Sequence, residues 1–389
     1  MFTGRLAEAA VSNLQRSQDT LFALAQDTGG KAMFDYNDLS LGIREAASSI
    51  TSYYIVGYYT ANIAEDGKFR RVRITLKNGR QGDLAYRQGY FGDKSFARFT
   101  AADKERQLEE ALLLDDPVTE IPIAMEVNYF QLSRAEYFIP VAVKMPGSEL
   151  VRAKRGGATR TQIDVIGEIK DDFGITQQNV RDKLDIKLDD ATAAQLATRP
   201  IQYETGFTLL PGKYVLKFLI RDSETGRMGT YQAAFIVPNL MRELTRLPTS
   251  SVVLSSQRVP LAEALLSTKA SALTVHPLVN NGQKLVPSVT RVFSRTRDLY
   301  VFLQAYERDA TATRPLLAFA TFFNESGKVF ETAPFTVTDG LQKGPNAVPV
   351  AFTVPLGSLA PGRYDCQITV LEPEGGKAAF WRAPIVIIP

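Results

Sequence analysis

The residues whose chemistry could support catalysis are few and poorly placed. His276 is the single histidine, in "LTVHPLV" just before a proline. A His-rich zinc centre is therefore excluded, and a Ser-His-Asp arrangement would have to depend on this one side chain. No G-x-S-x-G elbow accompanies it, so we read His276 as structural or surface. Cys366 is the single cysteine and rules out an intrachain disulfide. In "YDCQITV" the alternation sets Tyr364, Cys366, Ile368 and Val370 on one face, which makes the thiol core filler. Adjacent carboxylates at Asp115-Asp116, Asp171-Asp172 and Asp189-Asp190 stand at element ends or in turns. Acidic side chains there cap or solvate, and acid/base work would need carboxylates converging from separate segments.

Two loop motifs fail on composition. "DTGGK" lacks the earlier glycine and the hydroxyl residue after lysine that a phosphate loop requires. "DYNDLSLGIREA" offers Asp35 and Asn37 at calcium-loop positions, but Leu39 and Ser40 fill the next ligand and turn positions. No catalytic, cofactor-binding or metal-ligating residue is assigned. Contact residues are better supplied. In "SSITSYYIVGYYT", alternation sends Tyr53, Ile55, Gly57 and Tyr59 to one face and Tyr54, Val56 and Tyr58 to the other. Both faces apolar is the pattern of a covered central strand; the alternative is a tyrosine surface on which Tyr54 and Tyr58 meet a partner. In "VRAKRGGATR", Arg152, Lys154, Arg155 and Arg160 flank Gly156-Gly157, as a solvated hairpin loop or a docking patch for an acidic partner.

The whole chain narrows the classes further. Lys+Arg number 45 against 42 Asp+Glu, and the cations are spread along the sequence, which argues against nucleic acid. A hydrophobic share of 45% with 22% charged residues over 389 residues is globular and sufficient for several domains. No apolar run approaches the roughly 20 residues of a transmembrane segment. The opening "MFTGRLAEAAVSNLQ" lacks the basic end and continuous apolar core of a signal peptide.

The periodicity then places elements around these residues. Apolar spacing predicts a helix over 6–26 stopped by Gly29-Gly30, a short strand in "KAMFDY", a helix over 39–51 and a strand in "YYIVGYYT". That order is a wound α/β unit. From there the period becomes two: "KFRRVRITLKN" turns through "NGRQGD" into "LAYRQGYFG" as a hairpin. A charged amphipathic helix over 101–116 reads as a connector, and strands at short intervals follow from 120, in the rhythm of a β-sandwich. The expected divisions are 1–95 for the partial α/β unit with its hairpin, 96–118 for the connector, 119–239 for a first sandwich, 240–288 for an irregular linker and strand region and 289–389 for a second sandwich. The fold class is mainly β, with a partial α/β unit followed by two immunoglobulin-like sandwiches.

A repeat supports the two sandwiches. "LLPGKYVLKFLIRD" with "YQAAFIVP" at 209–238 matches "LAPGRYDCQITVLE" with "WRAPIVIIP" at 359–389, and "LSRAEYFIPVAV" echoes "FSRTRDLYVFLQAY". Pro211-Gly212 and Pro361-Gly362 suit a type II turn with positive φ at glycine. Tyr214 and Tyr364 would then bond back to the turn backbone, as in a tyrosine corner.

The order of "LA", "TGG", "NDL", "YYIVGYYT", "DGKFR" and "RQGYF" over residues 14–91 resembles the end of a von Willebrand factor A-related domain of the kind found in acidobacterial proteins. "LVNNGQKLVPSVTRVFSRTRDLYVFLQAYE" is similar to the β-rich region that accompanies it. The resemblance implies a doubly wound sheet with a metal-ion-dependent adhesion site, an extracytoplasmic (periplasmic or secreted) location, and binding or adhesion to a protein partner. The family's D-x-S-x-S motif lies upstream of "TGG", and the residues before Gly29 contain none. The chain is thus expected to carry the last part of the domain without its metal site, with no cofactor of its own; magnesium is expected only with a complete upstream domain. Self-association through an exposed sheet edge, a structural assembly role with the sandwiches as spacers, and an accessory role in a carbohydrate-active enzyme are the alternatives.

Overall fold

A computed structural model describes residues 18–25, 32–34, 39–50, 54–80, 82, 84, 86–149, 160–187, 189–260, 276–280, 282–307, 312–342 and 346–389. The chain is mainly β and divides into two units, Met1–Asp103 and Lys104–Pro389. No described helix is long and apolar enough to cross a membrane.

The first unit contains helices α1 (18–25) and α2 (Leu39–Ile50) and a hairpin of β1 (Phe69–Arg71) and β2 (Gly89–Phe91). The hairpin pairs Phe69 with Phe91 and Arg71 with Gly89. Asn78 and Gly79 both have positive φ, 61° and 66°, which is what a type I′ turn demands of its two central residues. Of the strands expected in "KAMFDY" and "YYIVGYYT", the described residues, 32–34 and 54–60, belong to no ladder. A strand persists only where its N–H and C=O groups have a neighbour, and the described residues of this unit provide none for them. The start of the 6–26 helix, Gly29-Gly30 and Tyr53 lie outside the described residues.

Helix α3 (Ala101–Leu113) begins with a reciprocal cap. The Asp103 carboxylate accepts from the Thr100 backbone N–H at 2.8 Å, and the Thr100 hydroxyl accepts from the Asp103 N–H at 3.2 Å. More than a connector, α3 buries Leu108 and Ala111 against Ile166, Leu219 and Met228.

Among the described residues, the two largest apolar cores of the second unit are each served by two sheets. Around the first, β3 (Ala124–Val127), β4 (Phe130–Gln131), β5 (Tyr137–Pro146) and β8 (Pro200–Leu209) form one sheet centred on β5. The other, in the order β10 (Met228–Val237), β9 (Gly212–Asp222), β6 (Arg160–Asp171), β7 (Thr176–Lys187), supplies Ile163, Val165, Leu216 and Phe218 to the same core. Helix α4 (Asp190–Thr198), unforeseen in the sequence, leads into β8.

The stretch 240–288, expected to be an irregular linker and strand region, contains β11 (Val253–Ser255), β12 (Gln257–Pro260), β13 (Val279–Asn280) and β14 (Gln283–Val286) among its described residues. Leu247, Val252 and Leu254 already belong to the second core. There β11 pairs with β16 (Asp298–Tyr306), which pairs with β20 (Ala347–Pro355). The facing sheet runs β15 (Val292–Ser294), β22 (Lys377–Ile388), β21 (Gly362–Glu372), β17 (Leu316–Asn324), β18 (Gly327–Glu331), with β19 (Phe335–Val337) also on β17. The order β22-β21-β17-β18 repeats β10-β9-β6-β7, and β5 and β16 hold equivalent positions, as the sequence repeat requires. Tyr306 ties the two halves: its hydroxyl accepts from the Gln131 N–H at 2.7 Å and bonds the Gln304 side-chain oxygen at 3.0 Å.

Both tyrosine corners form. The Tyr214 hydroxyl donates to Leu210 O at 2.9 Å and the Tyr364 hydroxyl to Ala360 O at 2.8 Å. The expected type II turns do not: Gly212 and Gly362 open strands β9 and β21 and are not among the glycines with positive φ. Glycine at 212 answers a different need, since a Cβ there would lie 3.1 Å from the Tyr214 ring as it folds back over the strand start. Tyr214→Phe and Tyr364→Phe are each expected to cost about 1 kcal/mol in urea unfolding, because the orphaned carbonyl keeps partial access to water.

Candidate partner-binding groove

The segment 54–63 leaves its apolar side chains in solvent. Tyr54 is 96% exposed, Ile55 88% and Tyr59 103%, with Val56, Tyr58 and Ile63 also exposed. Scattered exposed apolar residues are ordinary, but a contiguous run marks a contact surface. In place of the buried central strand expected here, the described residues 54–60 run uncovered and outside any ladder.

Arg70 on β1 fastens the end of this segment to the hairpin. Its guanidinium donates to Asn62 O at 2.6 Å and to Ala64 O, and lies 3.5 Å from the Asp66 carboxylate. Gly92 admits the guanidinium: a Cβ there would stand 2.5 Å from the Arg70 Cζ. Thr60 and Asn62 close the intervening bend, the Thr60 hydroxyl accepting from the Asn62 N–H and the Asn62 side-chain oxygen from the Ala64 N–H. Tyr58 packs on Tyr90 with ring centroids 6.2 Å apart, and Arg70 sits over the Tyr90 ring. The Thr60 hydroxyl and then the Arg70 guanidinium hold the Tyr90 phenol below its ordinary pKa.

A groove of about 700 Å³ runs between residues 56–62 and 70–75. Tyr58 and Tyr59 flank one side, and Arg71, Val72, Arg73 and Ile74 the other. Arg71 and Arg73 are exposed and make no ion pair among the described residues. An extended segment laid in such a groove would find backbone groups, aromatic faces and two cations. The sequence marked Tyr54 and Tyr58, but the arginines of "KFRRVRITLKN" read only as the polar face of a hairpin. Their role depends on the position of 54–63, which periodicity cannot convey.

The other sequence candidates divide plainly. Arg152, Lys154 and Arg155 lie outside the described residues. Asp171 caps its own turn, one carboxylate oxygen accepting from the Phe173 and Ile175 N–H groups at 2.9 Å. The Cys366 thiol is buried, and burial pushes its pKa up to about 12, so it is an inert core group. His276 packs edge-on against Phe138 at 5.1 Å, and its Nδ1 accepts from the Leu278 N–H at 3.2 Å. Burial and then the Lys284 charge lower its pKa to about 4. Among the described residues, no three His, Cys, Asp or Glu side chains are grouped to hold a metal.

No protein-family model matches the chain, and no curated protein does. Among solved structures it is similar to Bacteroides uniformis β-glucuronidase, at 10% identity and a TM-score of 0.21 over 29% of this chain and 13% of that one. A second structure, B. uniformis β-glucuronidase 2 covalently bound to cyclophellitol-6-carboxylate aziridine, gives 12% identity and a TM-score of 0.20 over the same shares. The chain spans about an eighth of the length of either enzyme.

Proposed function

We propose that this chain is a non-catalytic binding protein related to von Willebrand factor A domains, which engages an extended, acidic segment of a partner protein through the groove between residues 56–62 and 70–75. The observation that carries the proposal is the groove itself, open between the uncovered tyrosine segment and Arg71 and Arg73, which make no ion pair among the described residues. An added strand would satisfy backbone groups that have no ladder partner and cover the apolar side chains, and acidic residues on it would complement the two cations. The family resemblance puts this activity in extracytoplasmic protein contacts or adhesion and reads the two β cores as immunoglobulin-like sandwiches. The equal strand order of the two cores and their paired tyrosine corners support that reading of the cores. Metal-dependent adhesion would need a complete upstream domain to supply magnesium ligands.

The double variant Tyr54→Asp/Tyr58→Asp tests the groove. Both side chains are exposed, so unfolding should change by no more than about 0.5 kcal/mol. In native extracts of the source cells, the complex containing this chain is expected to fall at least tenfold in amount, with the freed protein at the size of the uncomplexed chain. A complex of unchanged size and amount would refute the assignment. A native species of two copies, lost in the same variant, would favour the self-association alternative instead.

A further inference from the structure

A second concave site, remote in sequence from the tyrosine segment, lies in the second unit where β3 begins and β5 and α4 end. The cleft measures about 450 Å³, within the size range of small-molecule sites. Its walls are mostly apolar, with Ile123, Pro146, Leu196 and Pro200 among them, and two cations, Lys144 and Arg199, line it as well. The wall is held by a close backbone contact. A Cβ at Gly147 would fall 2.4 Å from Arg199 O and 2.5 Å from Leu196 O, so the end of β5 rests directly on the last turn of α4. Only glycine permits that approach, and it fixes where Arg199 leaves the helix.

Lys144 lies on β5 between Ala124 of β3 and Gln202 of β8, and neither it nor Arg199 has an ion pair or side-chain hydrogen bond among the described residues. The carboxylates in the surrounding strands are already engaged. Glu204 meets Lys284 at 2.5 Å and accepts from Gln202 at 2.9 Å, and Glu149 is paired with Arg227. An apolar trough bordered by two cations that no described carboxylate pairs selects a ligand with a hydrocarbon body and one anionic end. A neutral hydrocarbon would leave the cations without a partner, and a compact inorganic anion would leave the apolar walls wet.

We infer that this cleft binds a single-chain aliphatic carboxylate, with the carboxylate at Lys144 and Arg199 and the chain along Ile123, Pro146, Leu196 and Pro200. The burial of each further methylene is worth about 0.8 kcal/mol, so affinity should rise about fourfold per CH₂ until the cleft is full.

Calorimetric titration of the full chain with hexanoate, octanoate and decanoate below their aggregation concentrations tests both features. Decanoate is expected to bind at one site per chain and more tightly than octanoate, and decanol at least tenfold more weakly than decanoate. Lys144→Glu/Arg199→Glu should lose at least tenfold in decanoate affinity, with an unchanged unfolding midpoint. A second variant, Leu196→Gln, should flatten the chain-length dependence while leaving some carboxylate preference. Absence of saturable decanoate binding, equal binding of decanol, or equal binding by the charge-reversed variant would overturn the inference.

Discussion

Arg221→Ala should lower the unfolding free energy by about 3–5 kcal/mol, the usual result of removing one partner of a buried ion pair. Arg221 and Asp164 are each only 5% exposed at the side chain, with Nη2 and Oδ2 2.6 Å apart and Nε at 3.0 Å from the same oxygen. The guanidinium also donates to Lys104 O in the first turn of α3. One side chain therefore joins adjacent strands β6 and β9 and the helix that covers their outer face. Truncating it strands the Asp164 carboxylate, with the Ser223 hydroxyl at 3.1 Å and Lys183 at 4.0 Å as its remaining side-chain partners among the described residues. The double change Arg221→Met/Asp164→Leu should recover most of the loss, because the penalty belongs to the unpaired charge more than to the pair. Urea unfolding of parent, single and double variants measures this. A single-variant loss under about 1 kcal/mol would mean that water reaches Asp164 freely.

His276 should make the protein acid-sensitive. Its folded pKa of about 4 lies below the ordinary 6.5 because burial and the Lys284 cation both oppose its charging. A depressed pKa in the folded state means that protons bind the unfolded chain better, so the contribution is fully present above pH 6.5 and is lost as pH falls through 4. With roughly 1.4 kcal/mol per unit of pKa difference, the loss approaches about 3 kcal/mol at the acid end. Glu126 works in the opposite sense. Burial raises its pKa, so its charging penalises the folded state increasingly as pH rises, and a bare pH profile would mix the two effects. The informative quantity is the difference between the parent and His276→Leu at pH 7 and at pH 4. The variant should be weaker at pH 7 by about 1 kcal/mol, since the Leu278 N–H loses its acceptor, and should match or exceed the parent at pH 4. A pH-independent difference would show that His276 is not held neutral by the fold.

The features that the sequence conveyed were those encoded locally or repeated. The Asn78-Gly79 turn, the alternation of Tyr364, Cys366, Ile368 and Val370, and the two tyrosine corners all rest on residues within a few positions of one another. The repeat also placed β5 and β16, because the same spacing occurs twice. Features that depend on distant partners were not legible. The apolar alternation at 53–60 states what a strand there would require of its neighbours, not whether they are present, and the segment stands uncovered. Gly212 fitted a turn by its Pro-Gly context, whereas its actual neighbour is the ring two residues ahead. Arg221 and Asp164, 57 positions apart, carry no mark of their pairing. The same holds for the groove: Tyr58 and Tyr59 are visible as aromatics, but Arg71 and Arg73 become part of a site only once Arg70 has pinned residues 62–66 beside them.

Contact of segment 54–63 with a partner protein, as proposed, is tested by site-directed photo-crosslinking in the source cells. A photoreactive phenylalanine replaces Tyr54 or Tyr58 in turn, with Phe173, exposed on the β6–β7 turn, as the control position. One discrete adduct is expected from positions 54 and 58 and none from 173, with crosslinked peptides of the partner rich in acidic residues. Equal labelling at all three positions, or no adduct at 54 and 58, would contradict it.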